Sequence, residues 1–262
     1  MTEAESASLP AHGTLYTDDG PQRVVWQVPE EIPLAILLDS QSYAVMMGTP
    51  ADLEDFAIGF ALAEGLVDRA RDVEAVLVLP SAQSFTVDLA IAPGKLNAGR
   101  LVKRSLEGRV GCGLCGIEDV KDAIRMPERR AARVSLSCAA VARAYEELPR
   151  HQPMSAINRT VHAAAWCSVD GAIMLAREDV GRHNALDKLI GALARGGAEL
   201  SSGFVLMSSR CSFELVQKCA IAGIGALATV SAPTALALSL ARQAHLKLAA
   251  LSSRGVMIFD ED

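Results

Sequence analysis

Hydrophobic and polar positions follow two different periods along this chain. Between Val24 and Met47 the apolar residues come in short runs broken by turn residues: Val24 to Val28, Pro33 to Leu38 and Tyr43 to Met47. Such runs predict antiparallel strands. From Leu53 the period lengthens, and Leu53, Phe56, Ala57, Phe60 and Ala61 share one helical face. Thr49 stands where an N-cap is expected, Pro50 suits a first helical position, and Asp52 resembles a capping-box acid. Gly65 after Glu64 marks the expected stop. Val73 to Leu79 and Ser84 to Ile91 predict two more strands as a hairpin, and Pro93 to Gly99 a loop. Met1 to Gly20 reads as a frayed tail.

A helix is expected over Ile117 to Arg125 and a charged, proline-containing linker over Met126 to Arg133. Beyond it the two periods alternate. A helix at Ala139 to Glu147 precedes strands at Ala164 to Ser168 and Ala172 to Ala176. Then come helix His183 to Ala194, strand Phe204 to Met207, helix Phe213 to Ala222, strand Leu227 to Val230 and helix Thr234 to His245. Strands Lys247 to Leu251 and Val256 to Phe259 close the chain. Alternation of this kind predicts a layered α/β/α domain with a largely parallel sheet. The chain therefore divides into a flexible tail (1–20), a smaller strand-rich α+β domain (21–133) and a C-terminal α/β domain (134–262).

Composition narrows the class. The 262 residues are half apolar, which is enough for a sizeable core. The net charge of −6 argues against a nucleic-acid partner, whose binding surface would be basic. No charged segment followed by an apolar one opens the chain, so no secretory signal is expected and the location reads as cytoplasmic. The six cysteines then read as reduced thiols and not as a disulfide framework. The stretch between Lys218 and Arg242 carries no charge and is long enough to span a bilayer. It is rich in Ala, Gly, Ser and Thr and is broken by Ser231-Ala232-Pro233-Thr234, so it reads as buried helix, strand and helix, with no membrane partner.

Candidate chemistry sits in two places. Gly111-Cys112-Gly113-Leu114-Cys115-Gly116 reads as a mobile, glycine-flanked loop. A Cys-x-x-Cys pair binds metal, cycles as a dithiol or carries a reactive thiolate. No second close ligand pair accompanies it, so no metal of its own is expected. Nor does it follow a strand at the start of a βαβ unit, as a thioredoxin-type dithiol would. A zinc nucleoside deaminase is excluded as well, because Ala163-Ala164 follow His162 and Gly111 precedes Cys112. What remains is a thiolate carrier on Cys112 or Cys115. The second place is the set of strand ends. Arg177-Glu178-Asp179-Val180-Gly181-Arg182-His183-Asn184, Ser208-Ser209-Arg210-Cys211-Ser212, Ser231-Ala232-Pro233-Thr234 and Ser252-Ser253-Arg254-Gly255 each follow a predicted strand. In α/β sheets ligands bind at such ends. Helix N-termini and arginines there suit phosphate groups, so a large phosphorylated ligand is expected. His183 reads equally as a capping histidine or a ligand contact, and His162 as a strand-edge residue. Gly223-Ile224-Gly225 follows a helix, which rules against a dinucleotide fingerprint.

These blocks, together with Ser208 to Glu214, Lys218 and the Thr49 to Gly65 helix, resemble the FdhD family, over roughly Val24 to Phe259. The resemblance implies a sulfur carrier, with sulfurtransferase activity, for formate dehydrogenase maturation. Such a carrier takes persulfide sulfur from a cysteine desulfurase. It passes the sulfur to the molybdenum of a bis-molybdopterin guanine dinucleotide cofactor. The resemblance also implies a cytidine-deaminase-like larger domain and a homodimer. Cys112 matches the persulfide-bearing cysteine, with Cys115 as its partner. The cofactor-binding stretch falls on Ala250, Leu251, Ser252, Ser253, Arg254 and Gly255, where the family's usual aromatic is missing and the arginine is shifted. The strand-end residues Arg182, His183, Asn184, Ser208, Ser209 and Arg210 complete the expected cofactor contacts. The alternative is a non-catalytic chaperone that only binds and delivers the cofactor.

Overall fold

The computed structural model describes residues 7–101 and 134–259. Three sheets organise them. Strands β1 (Ser8–Thr17) and β2 (Gly20–Pro29) form an antiparallel hairpin. Strands β3 (Ile32–Leu38), β4 (Gln41–Gly48), β5 (Val73–Pro80) and β6 (Phe85–Ile91) make a sheet of order β4-β3-β6-β5. Strands β7 (His162–Ser168), β8 (Ile173–Asp179), β9 (Gly203–Cys211), β10 (Ala226–Pro233), β11 (Lys247–Ser252) and β12 (Gly255–Phe259) make a sheet of order β12-β11-β10-β9-β7-β8.

The first strand lies where a frayed tail was expected. Its sequence, with Pro10, His12 and Gly13, carries little strand signal. Register with β2 over ten pairs, from Ser8↔Pro29 to Thr17↔Gly20, supplies the order that composition does not. The hairpin of β5 and β6 forms as expected, and β6 also pairs parallel with β3.

Helix α1 (Leu53–Ala63) buries Phe56, Ala57, Phe60 and Ala61 against Leu34, Ile36, Val87 and Leu89 of the four-stranded sheet. It starts later than its sequence predicts. Asp52 is the N-cap, held in the left-handed region at φ 52°, and Thr49 is drawn away into contacts described below. Helices α2 (Cys138–Glu147) and α3 (Pro153–Asn158) precede the six-stranded sheet, and α4 (Arg182–Arg195), α5 (Phe213–Ala222) and α6 (Ala235–Gln243) are threaded through it. Leu186, Leu189, Leu215, Val216, Leu240 and their neighbours cover one face of that sheet, meeting Val205, Met207, Leu227 and Leu248. Ala140, Val141 and Ala144 of α2 cover the other, meeting Ala163, Ala165, Phe204 and Leu206. Phe204 to Met207 is thus buried on both faces, which explains its unbroken apolar run. The uncharged stretch expected as helix, strand and helix folds that way, and among the described residues no helix is long and apolar enough to cross a membrane.

The two larger sheets meet through α1 and α4. The helices cross at Gly59 and Gly191, and no side chain separates them there. A Cβ on Gly59 would run into the carbonyl of Asp187, with its carbon 2.6 Å away. A Cβ on Gly191 would run into the carbonyl of Asp55. Around this contact Arg177 lays its guanidinium along Asp55 at 2.7 and 2.9 Å, and Arg195 reaches the other Asp55 oxygen at 2.6 Å. The helix expected at Ile117 to Arg125 and the linker and domain boundary expected at Met126 to Arg133 lie outside the described residues.

Candidate functional site

Strands β9, β10 and β11 are mutually parallel, and β7 is antiparallel to both β8 and β9. The ends of β8, β9, β10 and β11 therefore open on one edge of the sheet. From β8 to β11 this edge crosses four inter-strand spacings, roughly 19 Å. Helices α4, α5 and α6 all start there. The sheet is less parallel than expected, because β7 and β12 run against their neighbours.

The strands also run further than predicted. Arg177, Glu178 and Asp179 belong to β8, paired with β7 as far as His162↔Asp179. Ser208, Ser209 and Arg210 belong to β9, and Ser231 to Pro233 to β10, through two register shifts in the β9–β10 pairing. The polar composition of these ends had signalled turns. Irregular pairing keeps them in the sheet.

Most of the Arg177 to Lys188 block is spent on structure. Lys188 is fully buried, 2.7 Å from Asp179 Oδ2, and also donates to the carbonyls of Thr49 and Glu178 at 3.2 Å. Asp179, equally buried, accepts from the N–H groups of Thr49 and Gly181 and from the side-chain amide of Asn184. Thr49 Oγ1 accepts from the Val180 N–H. Glu178 accepts from the N–H groups of Met154 and Ser155 at the start of α3, and burial pushes its carboxyl up in spite of those bonds. Asp187 pairs with Lys218 at 2.9 Å, and Lys218 also lies 5.7 Å from the centroid of the Phe60 ring. Asn184, expected among the cofactor contacts, is buried and gives its amide hydrogens to Met47 O and Asp179 Oδ1.

What stays open to a ligand is a smaller set. Arg182 is partly exposed at the start of α4, whose N-cap, Gly181, has no side chain to offer. His183 beside it is buried, with Nε2 4.0 Å from Glu214 Oε2 at the start of α5. Arg210 is exposed at the end of β9. Ser208 Oγ accepts from the Ala163 N–H, and Ser209 Oγ donates to the carbonyl of Arg210, so these serines shape the strand end. Ala250 is buried and Leu251 partly so, whereas Ser252, Ser253, Arg254 and Gly255 form the exposed turn between β11 and β12. Gly255 has φ 129°, a conformation that glycine favours. The edge thus carries three arginines, Arg182, Arg210 and Arg254, on a chain of net negative charge. His162, opposite Asp179, is held below the usual histidine range by burial and by the charge of Arg182.

Two residues of the Ser208 to Glu214 block were not among the expected contacts. Ser212 is the N-cap of α5, yet its hydroxyl caps nothing, and Glu214 stands in the first turn. Serine and an acid at a helix start look like ordinary capping, which hides any other role. Among the described residues Ser212 Oγ, Glu214 Oε2 and Arg182 Nε are buried without a hydrogen-bond partner. Each such atom costs about 1–3 kcal/mol.

Residues 29–259 match the model of the FdhD/NarQ family. The chain belongs to that family. A Sulfur carrier protein FdhD from Chromobacterium violaceum is 49% identical over 243 residues, covering 90% of this chain and 89% of the relative. One from Cupriavidus necator is 46% identical over 232 residues, covering 88% and 81%. The fold matches the crystal structure of a proposed formate dehydrogenase accessory protein from Desulfotalea psychrophila, with TM-score 0.74, 24% identity and 97% of each chain covered.

The candidate carriers of this FdhD/NarQ chain, Cys112 and Cys115, lie outside the described residues. The described cysteines divide sharply. Burial pushes the Cys167 and Cys211 thiols up to about 12 and pushes Cys219 up as well, so none is a thiolate at neutral pH. Cys211, at the end of β9, is buried in the core beside Leu215 and Cys219. Cys138 is exposed. Among the described residues no group of three or more His, Cys, Asp or Glu is arranged to hold a metal. A cleft of about 880 Å³ lies at the far ends of α4 and α5, lined by Leu62, Arg69, Arg100, Leu193 and Ile221, away from the strand-end residues.

Proposed function

We propose that the chain is a sulfur carrier for formate dehydrogenase maturation. Persulfide sulfur is taken from a cysteine desulfurase onto Cys112 and passed to the molybdenum of a bis-molybdopterin guanine dinucleotide cofactor. The observation that carries this reading is the family match, with relatives named Sulfur carrier protein FdhD at 45–49% identity over most of the chain. The inertness of Cys167, Cys211 and Cys219 supports it by narrowing the choice of carrier. The arginine-bearing edge supports a ligand with several phosphates. Arg182, Arg210 and Arg254 would neutralise the diphosphates, and the start of α4, a helix end that suits anions, lies at the same edge. The reading extends to a cytidine-deaminase-like larger domain, a homodimer and a cytoplasmic location.

The chemistry balances on two thiols. The Cys112 thiolate attacks the outer sulfur of the desulfurase persulfide, and the desulfurase cysteine leaves as thiolate. The Cys115 thiolate then attacks Cys112 Sγ. A Cys112–Cys115 disulfide forms and the outer sulfur leaves as hydrosulfide, reduced by the two electrons that the cysteines lose. Hydrosulfide and one proton replace an oxygen ligand of the molybdenum, which departs as water. A dithiol reductant restores the pair.

The test is intact mass after incubation with cysteine desulfurase and cysteine. The expected result is a gain of one or more sulfur atoms, lost on reduction and absent in Cys112→Ala. No gain in the wild-type chain would overturn the carrier reading and leave a chaperone that binds and delivers the cofactor.

A further inference from the structure

Two apolar sheet faces are left without a cover. Residues paired across a ladder share a face. The register of the β1–β2 ribbon therefore puts Leu9, Ala11, Gly13 and Leu15 on one side, with Val28, Trp26, Val24 and Gln22 opposite them. That side is apolar along almost its whole length, whereas the other carries His12, Thr14, Arg23 and Gln27. Yet Trp26 is 61% and Leu9 50% exposed, and Leu15 and Val28 are exposed as well. The ribbon joins no larger sheet. Its base is anchored by Ala7 against Met154 and Val161, and by Asn158 Nδ2, which donates to Ser8 Oγ at 3.2 Å. An isolated two-stranded ribbon is marginally stable in water and needs a surface against its apolar side.

The second face belongs to the four-stranded sheet. Helix α1 covers the side that carries Leu34, Ile36, Val87 and Leu89. The register sets Val45, Ala35, Thr86 and Leu79 in one row across the other side, and Leu37, Asp88 and Leu77 in the next. Leu77 is 54% exposed, and Val45 and Leu79 are each 46% exposed, so no described element covers them. Asp88 is already engaged by the N–H and hydroxyl of Ser40 at 3.0 and 2.9 Å. Among the described residues, none of the apolar side chains on either face belongs to a buried cluster. A sheet with an open apolar face is short of a layer.

The two faces suit each other, since sheets pack face to face through such surfaces. Each is on the order of 400 Å², the size of the largest patch on an ordinary monomer. A single contact of that size is too small to hold two proteins together. A two-fold axis makes it twice and covers four faces, about 1,600 Å² in all, which is a standard interface. A foreign partner fitted to one face would leave the other in water. A second copy brings the complement of both.

We propose that the apolar side of the β1–β2 ribbon of one copy lies over the open face of the four-stranded sheet of a second copy, and that the contact is made reciprocally. This arrangement rests on the homodimer reading above and names its surfaces.

Light scattering on the full chain over a concentration series tests it, with Trp26→Lys and Leu77→Glu. Both side chains are exposed in the single copy, and circular dichroism checks that each variant is folded. The wild type is expected to be a dimer, and each variant alone should raise the dissociation constant at least about tenfold. An equal mixture of the two variants should recover a mixed dimer, because one contact is then native and the other brings unlike charges onto facing surfaces. Dissociation in only one variant, or no recovery in the mixture, would overturn the ribbon-on-sheet pairing. A dimer unchanged in both variants would overturn these faces and leave the homodimer reading standing. A monomeric wild type would overturn both.

Discussion

Replacing Gly59 by alanine tests whether the helix crossing holds the molecule together. The new Cβ would stand 2.6 Å from the Asp187 carbonyl carbon and 2.7 Å from the Gly191 nitrogen, and would overlap the Asp187 oxygen. All three are backbone atoms, so no rotamer change relieves the clash. Restoring ordinary contact parts α1 from α4 by more than about 1 Å, and a gap of that size already forfeits up to half of the dispersion energy across it. Phe56 and Phe60 on one side and Leu186, Leu189 and Ile190 on the other would feel it. Overpacking of this kind costs about 1–3 kcal/mol, and a clash with rigid backbone lies at the upper end. The better helix propensity of alanine returns up to about 1 kcal/mol. The expected net loss is about 2 kcal/mol or more for Gly59→Ala, and similar for Gly191→Ala, whose Cβ meets the Asp55 carbonyl. Because one separation of the helices relieves both clashes, the double variant should lose less than the sum. Gly13→Ala, with nothing within 4 Å of the new atom, is the control. Urea unfolding gives the comparison. A change under about 0.5 kcal/mol in either helix variant would refute the close crossing.

Three further outcomes follow. Lys188→Met should destabilise by about 3–5 kcal/mol in urea unfolding, because it leaves Asp179 buried and uncompensated; a loss below about 1 kcal/mol would show that the pair is not dry. In a histidine-selective NMR titration, His162 should titrate below the ordinary histidine range and move up in Arg182→Gln, since the arginine charge is one cause of the depression. A depressed value means that the folded chain binds fewer protons, so the stability from His162 is present above the unfolded pKa and is lost as pH falls towards the folded one; an unmoved titration in Arg182→Gln would refute the coupling. Alkylation at neutral pH followed by peptide mass analysis should label Cys138 but spare Cys167, Cys211 and Cys219 until denaturant is added; native labelling of Cys211 would contradict its burial.

The alternation of strands and helices after His162 was legible because each element there buries a full face, and burial writes its period into the residues. The common edge of β8, β9, β10 and β11 followed from that alternation. Features set by tertiary contact were not legible. Ser8–Thr17 reads as a tail because its order comes from pairing with β2 and not from composition. Thr49 reads as an N-cap because hydroxyls usually cap, but here Asp179, Val180 and Lys188 claim it. The strand ends read as turns because polar residues usually leave the sheet, and only the irregular register of β9 and β10 retains them. Glu214 stayed outside the expected contacts for a different reason. A carboxylate in a first helical turn is already explained by the helix dipole, and only its unbonded Oε2 shows that explanation to be incomplete.

The long polar block around the end of β8 changes meaning once its partners are known. Read along the chain, Arg177 to Lys188 looks like a ligand-binding loop. In the fold, Arg177, Glu178, Asp179, Asn184, Asp187 and Lys188 are tied to α1, α3, α5 and the Thr49 segment. Two buried lysines paired with two buried aspartates are not the most stabilising way to fill such a space, since apolar residues of similar volume often do as well or better. Charged pairs add direction. Each Asp179 oxygen has assigned donors, Thr49 and Lys188 on one and Gly181 and Asn184 on the other, which tie the turn from β8 into α4 to the Thr49 segment and give it one arrangement and not several. Arg182 is the residue of that turn that stays partly exposed at the edge, and it stands on a rigid base. A site that holds a ligand specifically needs its polar atoms held to a fraction of an ångström. The buried network is therefore the support of the site, and its residue types are demanded as strictly as those of a contact surface although most of them touch no ligand.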